Sequence, residues 1–423
     1  MSAGITEGGI RRLPAWAQRL WWFRPWGPEA ARSGAAPTRL ARVTAVRRGT
    51  RKYVAIGSMS GACRFLGLGI RASAVIVLFV ASSLPLVDFA AAEGTLTGLW
   101  SRRAGRSITV SPAVGSGRVF TVSTDGRVQC FRLADGKRIW GHRLKDSGEA
   151  APAWSPSAAG GRLFVSSGNE GRVLLALEGT RGHRRWSHEL GSPITAIAAD
   201  DSVVVALVRK GTLAAWRASD GAALWTRALD GWDPPPFLLH GGRVFAGMRR
   251  DSLLALDART GVPAWRAAPG GRFATAPVPA TGLLALADVD GRMAWIEPET
   301  GLVVARTQRS AWQLCAGAVC GSGLVTVSSG GRAEMAGPVP DAGDWFAPVE
   351  NAVVAGPLVR RGTVLVGATS GNLSALDART GRVLWSFQSA GGFRVGPLAA
   401  GDTLLLADTR GTIHVYLDGA GTE

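Results

Sequence analysis

The sequence predicts an all-β fold, an eight-bladed β-propeller of four-stranded antiparallel blades that is closed by an N-terminal strand. Three observations predict it. A hairpin element recurs, with nearly identical copies at residues 375–385 (ALDARTGRVLW) and 255–265 (ALDARTGVPAW). Its tryptophan, and a proline that opens each unit, return about every 40 residues, a period typical of propellers. Finally, the last unit is incomplete, and an unmatched tryptophan strand precedes the first unit.

Each copy of the element consists of an apolar strand, a polar turn that ends in glycine, and a second strand that carries tryptophan. An Asp or Ser side chain bonds its own backbone in such a turn, and glycine, as at Gly261 and Gly381, supplies the positive φ. Because an isolated hairpin is only marginally stable, we expect the copies to stack, with each tryptophan filling the gap between neighbouring units. The repeat tryptophans are Trp100, Trp140, Trp186, Trp225, Trp265, Trp345 and Trp385.

The openings of the units give the number of blades. The last unit, residues 397–423, stops before any tryptophan strand, so we expect residues 96–102 to complete its sheet and to close the ring without a free edge there. In the sixth unit, residues 330–350 have lost the hairpin pattern, and only Trp345 keeps its place. Eight openings predict eight blades: Pro112, Pro152, Pro193, Pro234, Pro277, Ala316, Pro357 and Pro397.

The first 92 residues lie outside the repeats. Residues 1–58 have no usable period, and we expect them to form an unstructured leader. Residues 59–92 contain Arg64 and Arg71, an uncharged run over 72–87 and three alanines at 90–92, which together are typical of a secretory signal peptide. A membrane anchor is the alternative, although the run is shorter than the roughly 20 residues of a spanning helix and contains Pro85. These signal-peptide features begin unusually far from Met1, which suggests the hypothesis that Met59 is the true start.

These segments predict an exported protein of the periplasm or cell envelope, with its propeller in residues 93–423. Any membrane association would come from the N-terminal segment. The formal net charge is +17, from 48 Lys and Arg and 31 Asp and Glu, and residues 93–423 hold 35 of the basic and 28 of the acidic residues. Their arginines are spread over turns, without a basic helix or an aromatic-interleaved stripe, so we expect solvated arginines and no nucleic-acid partner. Examples are Arg118, Arg162, Arg243, Arg292 and Arg332.

Residue types that carry catalysis are scarce. No Ser, His and acid recur as a nucleophile elbow. His183 and His188 have no third metal ligand nearby in sequence, and residues 288–291 (DVDG) lack the remaining ligands of a calcium loop and are better explained as a turn. The sequence therefore predicts no catalytic, cofactor-binding or metal-binding residue. Cys315 and Cys320 are the only close cysteine pair and could form a disulfide in an exported protein, provided that the backbone bends between them.

The loops that enter the inner strands are the best candidates for binding, because a rigid ring presents them around one mouth. Residues 269–277 (PGGRFATAP) and 390–397 (AGGFRVGP) resemble each other. Exposed arginines and aromatic residues are favoured anchors of protein interfaces, whereas the alternative is that these are glycine-rich connections without a binding role. The candidate partner-binding residues are Trp232, Arg272, Phe273, Trp312, Phe393 and Arg394.

The ALDARTGRVLW element resembles the quinoprotein repeat, the tryptophan-docking motif of eight-bladed propellers, and the resemblance covers residues 95–423. Two groups share this motif: the pyrroloquinoline-quinone dehydrogenases, and cofactor-free propellers such as the BamB-type scaffolds of the outer-membrane barrel assembly machinery. The chain lacks the adjacent Cys pair, the evident Glu, Asn and Asp cluster for calcium, and the long insertions of the dehydrogenases. It matches the scaffolds in size, blade count and export, but lacks their lipid-bearing Cys at the signal exit.

The resemblance implies an exported, non-enzymatic scaffold that binds protein partners in envelope or outer-membrane assembly, without a cofactor and as a monomer. One alternative is an oxidoreductase that uses pyrroloquinoline quinone with calcium. Another is a propeller that senses a small ligand in its central channel. The tryptophans and glycines that match the motif are structural, so no functional residue is carried over from the family.

Overall fold

The computed structural model describes residues 96–144, 155–229, 237–248, 252–271, 273, 276–288, 290–308, 314–321, 323–328, 330–338, 343–350 and 356–418. The predicted leader and signal peptide lie outside these ranges, as do Trp232, Arg272 and Trp312. Within them the secondary structure is almost entirely β, with one short 3₁₀ turn at Asn169–Gly171. None of the described residues form a helix with the length and hydropathy needed to cross a bilayer.

The described strands form eight antiparallel sheets of four strands each. Blades 1 to 4 follow the chain in order: β2 (Ala113–Gly115), β3 (Arg118–Val122), β4 (Arg127–Arg132) and β5 (Arg138–Arg143); β6 (Ser157–Ala159), β7 (Arg162–Ser167), β8 (Val173–Glu178) and β9 (Arg184–Glu189); β10 (Ile194–Ala199), β11 (Val203–Val208), β12 (Thr212–Arg217) and β13 (Ala223–Ala228); β14 (Leu238–His240), β15 (Arg243–Met248), β16 (Ser252–Asp257) and β17 (Pro263–Ala267).

Blades 5 to 7 continue this order, and blade 8 takes its outer strand from the start of the propeller. Their strands are β18 (Val278–Ala280), β19 (Leu283–Ala287), β20 (Arg292–Ile296) and β21 (Val303–Gln308); β22 (Leu314–Cys320), β23 (Gly323–Ser328), β24 (Arg332–Ala336) and β25 (Trp345–Pro348); β26 (Leu358–Arg360), β27 (Thr363–Gly367), β28 (Asn372–Asp377) and β29 (Val383–Gln388); β30 (Leu398–Ala400), β31 (Thr403–Ala407), β32 (Thr412–Asp418) and β1 (Leu96–Arg103). The predicted eight-bladed propeller is therefore confirmed.

The first strand of each blade lies at the centre of the ring and the last strand at its rim. Inner strands of successive blades contact one another, as β2 contacts β6 and β22 contacts β26. The middle strands are the most buried, because Val, Leu and Ala on both of their faces pack against neighbouring blades. Between blades 3 and 4, for example, Val205 and Leu213 share a core with Val244 and Leu256. The rim strands alternate between partly buried and exposed residues.

The ring closes through β1, as the sequence predicts. This strand pairs antiparallel with β32 in blade 8, with Trp100 opposite Val415 and Ser101 opposite His414. Trp100 then packs with Ile108, Val119 and Phe131 of the connection to blade 1 and of blade 1 itself. One sheet thus contains the two ends of the propeller, and unfolding of either end removes a strand from the same blade.

Blade 6 is complete despite the loss of its hairpin pattern. Met335 of β24 pairs with Trp345 of β25, so the tryptophan keeps its register although the turn between the strands has changed. The four-stranded sheet is therefore kept in the unit whose hairpin sequence departs from the repeat.

Candidate functional site on the outer rim

In six of the blades, the repeat tryptophan fixes the rim strand to the next blade. The indole Nε1 of Trp140 donates a hydrogen bond of 3.0 Å to the carbonyl of Gly179 in blade 2, and five other repeat tryptophans make the equivalent bond at 2.8–3.3 Å. The pairs are Trp100 with Leu133, Trp186 with Ala218, Trp225 with Ala258, Trp265 with Pro298, and Trp345 with Ala378.

The turn glycines provide the surface on which these indoles lie. Gly261 and Gly381 adopt φ values of 69° and 71°, which residues with a Cβ rarely adopt. A Cβ at Gly261 would lie 2.6 Å from the ring of Trp225, so the side chain has no room as well as the wrong backbone conformation. The repeat therefore needs glycine at this turn for two independent reasons, and the rim strands sit on a rigid frame.

The outer strands of blades 5 to 7, and the turns that lead into the outer strands of blades 4 and 5, expose large apolar side chains. Phe346 on β25 is 67% exposed, and other rim positions of neighbouring blades expose branched aliphatic residues. Each of these strands is the last of its sheet, so one edge of its backbone has no paired strand. We call this set the rim surface: Val262, Leu302, Val304, Phe346 and Val383. Among the described residues, the rim strands of blades 2 and 3 expose no large hydrophobic side chain.

Phe346 is held in place by an arginine rather than by other apolar groups. The guanidinium of Arg332 lies 4.5 Å from the centre of its ring, and Arg332 also forms an ion pair with Glu334. A cation over an aromatic face is favourable even at an exposed site. This contact covers one face of the Phe346 ring and leaves most of the side chain exposed, where an approaching chain can pack against it.

The two phenylalanines predicted to bind a partner are buried, and that prediction is wrong. Phe393 is 1% exposed and Phe273 is 8% exposed. Phe273 packs with Phe245 and Leu284 between blades 4 and 5, and Phe393 packs with Leu404 between blades 7 and 8. The two similar loops resemble each other because each inserts a phenylalanine into an inter-blade core.

Of the remaining candidates, Arg394 is exposed next to Phe393. The loop glycines explain the shape that these two connections share, because a Cβ at Gly391 would lie 2.8 Å from the carboxyl carbon of Asp408. Gly271 lies against Asp288 in the same way. The loops therefore follow the alternative interpretation of glycine-rich blade connections at these positions.

Asp288 belongs to a turn, as predicted. Its Oδ1 accepts hydrogen bonds from the backbone amides of Asp290 and Arg292, at 2.8 and 2.7 Å. His188 likewise has a structural partner, since its Nε2 donates to the carbonyl of Gly221 at 2.7 Å. Within the described residues, no group of three or more His, Cys, Asp or Glu side chains is placed to hold a metal ion.

The structure also corrects the predicted disulfide. Cys315 and Cys320 both lie on β22, Leu314–Cys320, which has a small register shift near its start and no reversal. Five residues of extended strand separate their Cα atoms by about 16 Å, roughly three times the reach of a disulfide. Cys320 is a free thiol that contacts the Ala378 carbonyl at 3.6 Å. The bend that the bridge requires is absent from this strand.

A row of three hydrogen-bonded side chains lies where β1 joins blade 8, and sequence spacing alone could not reveal it. Ser101 of β1 donates to Nδ1 of His414 at 2.9 Å, and Nε2 of His414 donates to Oδ2 of Asp408 at 3.2 Å. Ser101 and His414 are 313 residues apart and meet only because β1 pairs with β32. These hydrogen bonds connect the first strand to the last blade and so stabilise the closure of the ring.

Burial raises the pKa of Asp408, but the hydrogen bonds from His414 and from the amides of Thr412 and Arg410 outweigh it, so that the pKa lies below its ordinary value. A lowered pKa means that the folded state binds this proton more weakly than the unfolded chain. The stability that Asp408 contributes is therefore present above the unfolded pKa of about 3.9 and is lost as the pH falls through the lower folded value.

We expect Asp408→Asn to lower the free energy of unfolding by about 1–3 kcal/mol at neutral pH, because buried donors lose a charged acceptor. The difference in free energy of unfolding between the variant and the unsubstituted chain should shrink below about pH 4. There Asp408 becomes protonated, and the unsubstituted chain loses the stabilisation that the carboxylate provides. Urea unfolding at several pH values measures this. A difference that is constant from pH 3 to pH 7 would contradict the assignment.

Comparison with known proteins agrees with this fold. A family model described as outer membrane protein assembly factor BamB matches residues 86–232 and 209–422, which is most of the chain. The chain belongs to this BamB family. BamB of Yersinia pestis is 28% identical over 213 residues, or 46% of this chain and 52% of that protein. The serine/threonine-protein kinase AfsK of Streptomyces coelicolor is 30% identical over 170 residues, or 39% of this chain and 20% of the kinase.

Solved structures show the same architecture at lower identity. BamB from Moraxella catarrhalis superposes with a TM-score of 0.65 and 18% identity, covering 78% of this chain and 99% of that one. A quinohemoprotein alcohol dehydrogenase from Comamonas testosteroni gives 0.62 and 14%, covering 78% of each chain. These structural likenesses show the fold alone. The sequence match to the Yersinia protein spans about half the length of that relative, and the predicted membership of the quinoprotein-repeat propellers is confirmed by the family match.

Proposed function

We propose that this protein is an exported, non-enzymatic scaffold that holds polypeptide partners during the assembly of outer-membrane proteins. The BamB relatives, which are named as assembly factors, support this role. The observation that carries it is the rim surface, where exposed apolar side chains lie on or directly before the edge strands of four neighbouring blades. A surface of this kind suits a protein partner, because covering exposed apolar side chains with a second chain removes them from water and lowers the free energy.

The rim surface offers two kinds of contact to an unfolded β-strand. The free backbone edge of a rim strand can pair with an extended chain, and side chains such as Phe346 and Val383 can accept alternate apolar residues of that chain. The rim strands of blades 4 and 6 stay fixed while this happens, since the indoles of Trp265 and Trp345 bond them to the next blade. Binding therefore orders the client and leaves the scaffold unchanged, so that only the client loses conformational entropy.

Other parts of the proposal follow from the same role. The scaffold acts in the periplasm or at the envelope as a monomer, it requires no cofactor, and export proceeds through the predicted signal peptide at residues 59–92. No contact among the described residues specifically favours the quinone oxidoreductase or the small-ligand sensor, so we propose a single function.

Site-specific photo-crosslinking tests the rim surface. The full chain would carry benzoylphenylalanine in place of Phe346, and in a second variant in place of Val383, and would be mixed with a urea-unfolded outer-membrane β-barrel protein on dilution. We expect adducts at both positions, because both lie on the exposed edge that the client strand would join. Mass spectrometry of the adducts identifies the client segments.

Thr226 provides the matched control position. It is exposed on β13, the rim strand of blade 3, which has no large exposed apolar side chain among its described residues. Adducts at Thr226 in the same yield as at Phe346 would show that the unfolded client sticks to any rim strand, which would contradict the proposal. So would equal adducts with a folded helical protein at Phe346.

A further inference from the structure

The positive charge of the propeller is concentrated at the junction of blades 8 and 1. Residues 96–144 contain nine Lys and Arg and only two Asp and Glu. The rest of residues 93–423 contains 26 of each, so this one stretch accounts for the whole excess of basic residues in the propeller. Arginines occur on turns throughout the propeller, but their excess over acidic residues falls in this part of the ring.

The fold gathers much of this charge around one cleft. The cleft has a volume of about 540 Å³ and lies between β1 of blade 8 and the strands β4 and β5 of blade 1. Phe131, which is 2% exposed, and Gln129 form part of its lining. Five guanidinium groups and one carboxylate also line it: Arg102, Arg103, Arg106, Arg127, Arg138 and Asp125.

Most of this charge is not neutralised within the described residues. Asp125 forms an ion pair with Arg127 at 3.1 Å. Arg102 and Arg103 each donate one hydrogen bond to a backbone carbonyl, at 3.0 and 3.3 Å, which leaves most of the five donors of each guanidinium available. Arg106 and Arg138 have no ion pair among the described residues, and a second basic cleft, lined by Arg118, Arg132 and Lys137, shares Arg138.

We propose that this basic cleft binds an acidic segment of a polypeptide, through carboxylates that accept paired hydrogen bonds from the guanidinium groups. Arginine forks match the geometry of carboxylates and bind them with two parallel hydrogen bonds. Leu99 and Ile139, which are 41% and 42% exposed, lie on β1 and β5 and can contact apolar residues of the same segment. The free edge of β1 can pair with its backbone.

The position of the cleft argues against two other anionic partners. A bilayer is attracted by basic charge spread over a broad, flat face, whereas this charge is confined to one junction and the rest of the propeller holds equal numbers of basic and acidic residues. Single-stranded nucleic acid binds on exposed aromatic faces as well as on cations, whereas Phe131 and Trp100 at this junction are buried. An extended acidic peptide needs neither a flat surface nor a stacking partner. This site is separate from the rim surface of blades 4 to 7, and the inference does not depend on the proposed function.

Fluorescence anisotropy with the full chain tests the cleft. The probe is a labelled peptide of alternating Glu and Ser, and the comparison peptide has Gln in place of Glu. We expect the acidic peptide to bind and the neutral one not to bind, with an affinity that falls as salt is added. The triple variant Arg103→Glu/Arg106→Glu/Arg138→Glu should weaken binding by about tenfold or more, because it replaces three attractive charges by repulsive ones.

A variant with the same change in net charge provides the control. Arg181, Arg379 and Arg382 are exposed on blades 2 and 7, and their joint replacement by glutamate should leave the affinity nearly unchanged. Equal losses in the two variants, or no loss in the cleft variant, would overturn the proposal. Co-sedimentation with phosphatidylglycerol vesicles completes the test. If vesicle binding requires the cleft arginines and peptide binding does not, the cleft binds lipid, and the proposal is overturned as well. Circular dichroism checks that both variants fold.

Discussion

Replacement of Trp140 by alanine is expected to lower the free energy of unfolding by about 3–5 kcal/mol, the range typical of large aromatic residues in a core. The indole is 8% exposed and belongs to the core between blades 1 and 2. Its ring centre lies 6.0 Å from that of Phe120 and 5.3 Å from that of His142. The substitution also removes the Nε1 hydrogen bond and leaves the carbonyl of Gly179 without this donor.

The adjacent rim residue gives a matched control for this prediction. Ile139 is 42% exposed, so Ile139→Ala should change the free energy of unfolding by no more than about 0.5 kcal/mol, as exposed substitutions usually do. The conservative change Trp140→Phe should fall between the two, since it keeps much of the packing and loses one hydrogen bond. Urea unfolding followed by far-ultraviolet circular dichroism measures all three. If the unfolding midpoints of Trp140→Ala and Ile139→Ala coincide, the indole does not hold the blades together.

Deletion of residues 1–103 is expected to have an even larger effect, because it removes β1 and leaves blade 8 with three strands. Ile413 and Val415 of β32, each at most 1% exposed, would lose the strand that covers them on that side. Trp100 would no longer bridge to Leu133 in blade 1. The open edge of β32 would also offer unpaired backbone groups to a second chain. We expect the truncated chain to lose cooperative unfolding and to self-associate.

Deletion of residues 1–58 is the control, since it leaves the whole of β1 in place. Thermal unfolding and size-exclusion chromatography distinguish the two deletions. The control should unfold at the same temperature as the full chain and elute as a monomer. If the shorter chain that begins at residue 104 behaves in the same way, the closing strand adds nothing to the stability of the ring, and the closure seen in the structure has no energetic role.

The accuracy of the sequence predictions depended on how far apart the interacting residues lie. The hairpin turn at residues 377–381 is local, because Asp377 accepts hydrogen bonds from Thr380 within the turn and Gly381 supplies the positive φ. Such turns could be predicted from a few adjacent residues. The repeat period extended that local prediction to the whole ring, since identical hairpins must stack in the same way. The prediction that β1 closes blade 8 followed from counting strands.

The site predictions were less accurate, because exposure is a property of the assembled blades. Phe393 stands between glycines and an arginine, which is the composition of an exposed loop, yet the loop turns inward and places the ring between blades 7 and 8. The exposure of Phe346 was not predicted at all, since its place in a degenerate unit gave no sign that the ring would be exposed on a strand edge. Neither position could be assigned without the neighbouring sheet.

By itself, the sequence determined the blade count, the closing strand and the tryptophan positions, because turn chemistry and a fixed period are encoded in contiguous residues. The tertiary structure alone decided which side chains meet from distant segments: the Ser101, His414 and Asp408 chain at the seam, and the arginines of β1 that share a cleft with those of blade 1. It also decided that Cys315 and Cys320 lie too far apart to be bridged. The physical reason is that burial, and the contact of one charge with another, depend on which strands become neighbours, and in a closed ring the first and last strands are neighbours.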